Sequence, residues 1–398
     1  MICSKRPRKA IVTGMIATYP LGGVAWDYGQ YALALERLGF EVYYLEDTGL
    51  DTYDPRVRCY VDDPTYGVAF LRRSLGFLSE TLARRWHFRS ASGPSHGIDA
   101  SDFRQIVAEA DLLLNVSGST LLRDPWLRCP CKVLIDTDPG WNHFRNYPEQ
   151  DRKPMWNGGH GFRAHDVFFT YAQRIGRADC VLPTFGLEWH PTRPPVMMDR
   201  WQSAPGGTRW TTVMTWKNFS EPIAYRGIAY GTKEMEFERI EALPQRVPFP
   251  LEVAIDGTDW QSTRSRWEQR GWHVLDAPAI SGSAQSYRDY IRQSRGEFSV
   301  AKNVYVATRS GWFSCRSVCY LAAGLPVVVQ DTGFAEIIPC GEGLVAFATM
   351  EQAAEGLRRV EADYARHCVA ARRLAREHFA GERVLGDLLA QAGVGVPG

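Results

Sequence analysis

The chain has no apolar run of the roughly 18 residues that a membrane span needs. It has no cysteine pairs at zinc-finger spacing, and its net charge is only +1 over 398 residues. The first absence excludes a helical membrane protein. The near balance of charge leaves no strong field to hold DNA, RNA or an anionic membrane. The basic run Lys5-Arg6-Pro7-Arg8-Lys9 is short and leads directly into a strand, so it reads as a solvated start. The N-terminus lacks the apolar stretch of a signal peptide, and a cytoplasmic location is expected. The nine cysteines are odd in number and scattered. Several, including Cys180, Cys319 and Cys340, lie in apolar stretches and read as buried free thiols. Cys129-Pro130-Cys131 has no second pair to make a metal site with. There is no internal repeat and no low-complexity tract.

What is present is an ordinary globular composition, 45% hydrophobic and 23% charged, in a chain long enough for two domains at roughly 100–200 residues each. Short apolar runs alternate with helical patterns. Ala10 to Ile16 reads as a strand, a loop with Gly22-Gly23 follows, and Tyr28 to Leu38 reads as a helix stopped by Gly39. Phe40 to Leu45 completes a βαβ unit. Further strands are expected at 111–116, 132–136 and 167–171. Residues 183–208, with five prolines and Gly206-Gly207, have the composition of a linker. Beyond it the rhythm restarts, with strands at 210–216, 251–256, 272–275, 296–300, 326–330 and 343–347, and helices at 233–243, 258–269, 284–294, 315–323, 349–378 and 380–391. The expected fold class is α/β, two Rossmann-like domains facing across a cleft. Residues 1–200 form the N-terminal, acceptor-side domain. Residues 208–379 form the C-terminal donor side, and 380–398 a C-terminal helix packing back toward the N-terminal domain. In such sheets ligands bind beyond the carboxyl ends of the strands.

The most informative stretch runs from Ser310 to Phe334. It reads as a loop, a two-turn helix beginning near Ser314, a Gly324-Leu325-Pro326 stop, a buried strand and a tight turn. Ser314 is a good N-cap type. The helix N-terminus, with free amides and partial positive charge, is an anion site suited to a diphosphate. Ser314, Arg316 and Ser317 can add donors around Cys315. After the strand, Asp331-Thr332-Gly333-Phe334 places a carboxylate and exposed backbone where sugar hydroxyls would lie.

This segment resembles the donor-binding region of GT-B glycosyltransferases, where a helix N-terminus holds the diphosphate and a loop like Gln330-Asp331-Thr332-Gly333 contacts the donor sugar. The resemblance covers nearly the whole chain. With Ile135 to Gly140, Pro191 to Val196, Tyr230 to Phe237 and Gly311 to Ser317, the sequence looks like a bacterial family of GT-B glycosyltransferases. That family carries an acidic residue where this chain has Cys315, a departure that leaves the side chain's role open. The helix-terminus argument uses backbone and does not depend on it. Glu336 follows Val329 at the spacing of the paired glutamates of many retaining enzymes, but Val329 is not acidic, so inversion or retention stays open.

Other candidates follow from position. Gly22 and Gly23 allow close backbone approach to a ligand. Asp27 suits a general base for an acceptor hydroxyl, or else a cap for the Tyr28 helix. In Asp136-Thr137-Asp138, Asp138 reads as a base or acceptor contact and the pair is not expected to hold a metal; a plain turn with Pro139-Gly140 is the alternative. Trp216 and Lys217 end the first strand of the second domain, and Lys233 opens a helix. The lysines suit phosphate or else a solvated face. His143, His160 and His165 are possible bases or structural histidines. Trp141, Trp156 and Trp189 are possible acceptor platforms or packing. The expected activity is metal-independent transfer of a sugar from a nucleotide-diphosphate sugar, the co-substrate, to an acceptor hydroxyl or amine, with no tightly bound cofactor. A sugar-nucleotide epimerase of the same fold and a non-catalytic nucleotide-sugar-binding protein are the alternatives. The nucleotide, sugar, acceptor and oligomeric state are not legible.

Overall fold

A computed structural model describes residues 6–153, 159–202, 207–217 and 221–397. Lys5, Trp156, Pro205 and Gly206 lie outside the described residues. The strands run in chain order as β1 Lys9–Thr13, β2 Glu41–Glu46, β3 Thr52–Asp54, β4 Cys59–Val61, β5 Trp86–Arg89, β6 Ser95–Gly97, β7 Leu112–Val116, β8 Lys132–Asp136, β9 Val167–Thr170 and β10 Trp189–Pro191. They continue as β11 Trp210–Thr215, β12 Ile223–Tyr225, β13 Ile228–Tyr230, β14 Leu251–Asp256, β15 His273–Asp276, β16 Gly296–Ser299, β17 Val327–Gln330 and β18 Leu344–Phe347.

Two separate sheets organise the chain. The first has the order β10-β9-β8-β7-β1-β2-β5-β6, parallel except for β6 at its edge. The second has the order β15-β14-β11-β16-β17-β18 and is parallel throughout. Central strands such as Leu112–Val116 and Val327–Gln330 are buried along their whole length. That burial is why they read as unbroken apolar runs: a parallel sheet is covered on both faces. In each sheet the strand order reverses beside the first strand, between β1 and β7 and between β11 and β16. Such switch points open crevices at the carboxyl ends of the strands.

The Gly22–Arg37 helix is the wedge between the two halves. The sequence suggested a loop at Gly22-Gly23, but the helix begins at Gly22, because the bare glycine fits against the second half. A Cβ there would meet the Ser283 carbonyl oxygen at 2.2 Å and the Tyr287 Cβ at 2.6 Å. Trp26 Nε1 donates to the Ala284 carbonyl at 2.7 Å, and one core runs from Val12 and Tyr31 through Trp26 to Val318, Phe379 and Leu385. The chain crosses back at its end. Val196 bridges to Ala380, and the Gly381–Gln391 helix packs on the Gly22–Arg37 helix. Arg174, almost fully buried, pairs with Glu336 and Asp179, tying the two halves on another side.

Candidate active site

Between the halves lies a cleft of about 830 Å³. It receives side chains from the ends of β1, β8, β11, β14 and β16 and from the starts of several helices. Of the residues singled out in the sequence, Gly23, Asp27, Asp138, Lys217, Lys233, Ser314, Cys315 and Arg316 line it.

The second half supplies positive charge. Lys233 opens the Lys233–Phe237 helix, and that helix is fixed by a buried carboxylate. Glu236 accepts from Asn303 Nδ2 at 2.7 Å and Gln330 Nε2 at 2.6 Å, while Thr232 Oγ1 donates to the Trp216 carbonyl at 3.2 Å. The geometry aims Lys233 into the cleft, where it is 8% exposed and makes no ion pair with any described residue. Burial, then the Arg316 and Lys302 charges, push its pKa well below the ordinary lysine value. An unpaired, largely buried ammonium among other cations is costly unless an anion joins it.

Beside it the Cys315–Ala322 helix begins. Ser314 Oγ accepts from the Arg316 amide at 3.2 Å as the N-cap, and the positive end of the helix faces the same space. The Arg316 guanidinium turns inward. It donates to Glu297 Oε1 and Ser299 Oγ, both at 2.5 Å, and to the Val213 carbonyl at 2.7 Å. Its side chain therefore braces the cleft floor, a role the sequence did not suggest. Ser317, 1% exposed, lines a hole of about 20 Å³ that adjoins the cleft at Trp312, Ser314 and Arg316. That is room for one water and not for a sugar.

The first half supplies carboxylates. Asp27 lies in the second turn of the Gly22–Arg37 helix, so it caps nothing. Burial raises its pKa from 3.8 to about 6, opposed by a hydrogen bond from the Cys315 thiol, which joins the two halves at this point. Burial beside Asp27 holds that thiol itself in its neutral form, far above its ordinary range. Asp138 is fully engaged: Tyr305 Oη donates to Oδ1 at 2.5 Å, and the Lys302 ammonium pairs with Oδ2. Trp312 stacks on Tyr305 with centroids 4.4 Å apart and donates from Nε1 to the Thr137 carbonyl at 3.0 Å.

Other candidates are placed elsewhere. Trp216, just past the end of β11, is 2% exposed and packs on Phe237 and Trp267, while Lys217 lines the cleft. Gly22 is spent on the contact with Ser283. The Asp331–Phe334 turn does not line the cleft; Thr332 and Phe334 instead line, with Ser314, Arg316 and Ser317, the small hole next to it. Asp331 Oδ1 closes the turn by accepting from the Gly333 and Ala335 amides, at 2.8 and 3.2 Å. Thr332 Oγ1 donates to the Trp312 carbonyl at 2.6 Å, Gly333 lies against Arg174, and Phe334 is buried on Phe313. Glu336 belongs to an ion network with Arg174 and Arg309.

Asp136 is wholly buried and accepts from Asn142, His143 and Thr170, so the two aspartates of the Asp136-Thr137-Asp138 run do not converge. Among the described residues no group of three or more His, Cys, Asp or Glu side chains could hold a metal ion. His143 faces Asp136 and the Pro183 carbonyl. His165, held neutral with its pKa lowered by burial to about 4, bonds to Asn115 and Phe162. His160 lines a small cavity within the first half. Trp189 is packed with Tyr147 and Phe168, and Trp141 carries the Arg145 guanidinium over its ring at 4.8 Å. These tryptophans do not assemble a platform in the cleft. Of the aromatic rings that do line it, Tyr19, Tyr53, Tyr60, Tyr171, Tyr287, Tyr305 and Trp312, the sequence pointed only to Trp312, as part of a longer run. Nor was Lys302, although it sits just past β16 at the switch point.

No protein-family profile matches the chain, and no curated protein matches it. Solved structures do. HepE of Anabaena, in complex with UDP and glucose, superposes with a TM-score of 0.55 over 96% of this chain and 100% of its own, at 11% identity. AviGT4, a glycosyltransferase involved in avilamycin A biosynthesis, gives 0.51 over 97% of each chain at 13% identity. Sucrose-phosphate synthase from Thermosynechococcus elongatus gives 0.52 over 97% of this chain and 99% of its own, at 12% identity. At such identities the likeness is one of architecture: the chain has the GT-B fold, two Rossmann-like domains facing across a cleft. No described helix is long and apolar enough to cross a membrane.

Proposed function

We propose that the chain is a glycosyltransferase that moves a sugar from a nucleoside-diphosphate sugar to an acceptor hydroxyl or amine. The observation that carries this reading is the Lys233 amine, without an ion pair among the described residues, facing the cleft beside the start of the Cys315–Ala322 helix. A diphosphate at that spot would receive helix amides from one side and Lys233 from another, and would remove the cost of the buried charge. The superposed HepE structure, with UDP and glucose bound, fits the same class of ligand.

Asp27 is the general base in this reading. Its pKa of about 6 leaves it ionised at neutral pH and still basic enough to take a proton from an attacking hydroxyl. Asp138, with both oxygens engaged, instead holds Lys302 and Tyr305 at the cleft wall. The charge that develops on the leaving diphosphate is stabilised by Lys233 and the helix start, groups already in place before the reaction. Those fixed cations supply the role a divalent ion would play, so the transfer proceeds in the presence of EDTA. A base acting directly on the acceptor fits a single displacement with inversion.

The test is a thermal-shift titration with UDP, GDP, ADP and dTDP against wild type and Lys233→Met. One of these nucleotides raises the melting temperature of the wild type, since a ligand that binds only the folded state stabilises it. The variant loses that response. If none of the four shifts the wild type, the reading is wrong.

A further inference from the structure

The cleft has a second wall that the donor does not account for. It is the β3–β4 hairpin of the first half, with the loop after β1 beside it. This loop is pinned from below: Glu46, fully buried, accepts from the Ala17 amide at 2.9 Å, from the Thr18 amide at 2.5 Å and from the Tyr44 hydroxyl at 3.0 Å. The hairpin is tied to the loop by the Tyr53 amide, which donates to the Thr18 carbonyl at 2.8 Å. Three phenol rings come together on this support. Tyr60 meets Tyr19 edge-on at 6.1 Å and Tyr53 at 5.6 Å, and the Tyr60 hydroxyl donates to that of Tyr19 at 3.3 Å. All three line the cleft.

Two features separate this wall from core packing. Tyr60 is 53% exposed, and it is the one aromatic among the described large hydrophobic side chains left open to water. Leu50 and Val57, on the same segment, are exposed as well. An exposed aromatic ring lining a cleft marks a contact surface. Both cations of the hairpin are also already spent: Arg56 is paired with Asp54 beside it. Arg58 donates to Asp276 Oδ1 at 3.3 Å and lies 4.0 Å from Asp256, both carboxylates of the second half. Among the described residues that line the cleft, Lys233 is the cation without an ion pair, so an anionic acceptor finds no free cation on this wall, with Asp27 also nearby.

We infer that the tyrosine hairpin is the acceptor platform, and that the acceptor presents an uncharged sugar or aryl ring that lies flat against Tyr60 and Tyr53. The inference rests on the transferase reading above and adds the acceptor's chemical class to it. Such a ring uses its apolar face on the phenols and leaves its hydroxyls free to reach Asp27.

The test uses the full chain saturated with whichever nucleoside diphosphate stabilises it, and saturation-transfer NMR with three probes: p-nitrophenyl β-glucoside, maltose and glucose 6-phosphate. Ring protons of p-nitrophenyl β-glucoside or of maltose take up saturation in the wild type, which tells an aryl from a sugar source, while glucose 6-phosphate does not. Tyr60→Ala weakens that binding by on the order of fivefold or more, Tyr60→Phe keeps it, and both variants keep the thermal shift with nucleotide. Unchanged probe binding in Tyr60→Ala overturns the inference, as does preferential binding of glucose 6-phosphate. A nucleotide shift lost in Tyr60→Ala also overturns it, because the wall would then belong to the donor. A wild type that holds the neutral probes but responds to no nucleotide removes the transferase reading itself, and the acceptor role with it.

Discussion

Replacing Asp27 by asparagine should make the protein more stable at pH 8 and nearly inactive. The Asp27 carboxyl titrates at about 6 in the fold against 3.8 in its ordinary setting, with burial as the main cause. A raised acid pKa means that the native state binds the proton more tightly than the unfolded chain does. Its favourable contribution is therefore complete below pH 3.8, is lost as pH rises to about 6, and stays lost above that. A shift of about two units corresponds to at most about 3 kcal/mol, and water reaching the side chain through the cleft reduces that to about half. The asparagine side chain carries no charge to bury, so the variant escapes this loss. Denaturant unfolding at pH 4 should give nearly equal stabilities. At pH 8 the variant should lead by about 1–2 kcal/mol. Glu46, also buried and raised to about 7, titrates in both proteins and cancels in the difference. In parallel, wild-type kcat/KM for transfer should fall about tenfold per pH unit below about 6. Asp27→Asn should lower it by roughly 10²- to 10⁴-fold at the plateau. A stability gap that is the same at pH 4 and pH 8, or a variant that keeps transfer within tenfold of wild type, would refute the assignment.

Three further outcomes follow from the same geometry. Diphosphate binding should draw a proton onto Lys233 at those pH values where burial and the neighbouring cations have removed it; calorimetry in buffers of different ionisation heat, run across a pH series, reads the uptake, and Lys233→Met should abolish it. Gly22→Ala should cost about 1–3 kcal/mol in urea unfolding, since its Cβ would strike the backbone of Ser283, whereas Gly23→Ala, whose nearest contact would be the Tyr287 ring at 3.2 Å, should fold normally. Arg174→Met should cost about 1–2 kcal/mol, with part of the loss disappearing in high salt, because its partners Glu336 and Asp179 are about half exposed and screened by water; an unchanged midpoint would mean that the network does not hold the halves together.

The parallel sheets were legible because strands buried on both faces must be apolar along their length, as in Leu112–Val116 and Val327–Gln330. The helix starting at Cys315 was legible for a local reason too: Ser314 is a capping residue, and Gly324 and Pro326 end the unit. What failed was anything decided by tertiary contact. Gly22 looked like a loop residue, yet it is helical because the second half leaves no space for a side chain there. Asp331 to Phe334 reads as a ligand loop in the sequence, but what a turn offers to a ligand depends on its anchors. Here Asp331 bonds its own turn and Phe334 is drawn onto Phe313. Trp216 and Lys217 are neighbours just past β11, and packing on Phe237 and Trp267 draws the tryptophan into the core while the lysine lines the cleft. Lys302 had a usable signal, its place one step past a central strand beside the switch point. Tyr53 and Tyr60 had almost none, since three-residue strands in a polar stretch leave no periodicity to read.

The two groups given chemical roles are both held against their charged forms, and by the same cause. Burial raises the Asp27 pKa and lowers that of Lys233, and the two line one cleft from its opposite halves. An ion pair between them would have cancelled both penalties, as Asp138 and Lys302 do a short way off. Among the described residues neither has such a partner. Instead Asp27 takes a neutral thiol, and Lys233 takes nothing. Charges left uncompensated in this way are stable only where a ligand completes them. One needs an anion and the other a proton donor, which is the pair of demands that a diphosphate leaving group and an acceptor hydroxyl meet together. A fold selected only for stability would have paired or neutralised them, as the Asp27→Asn stability gap should show.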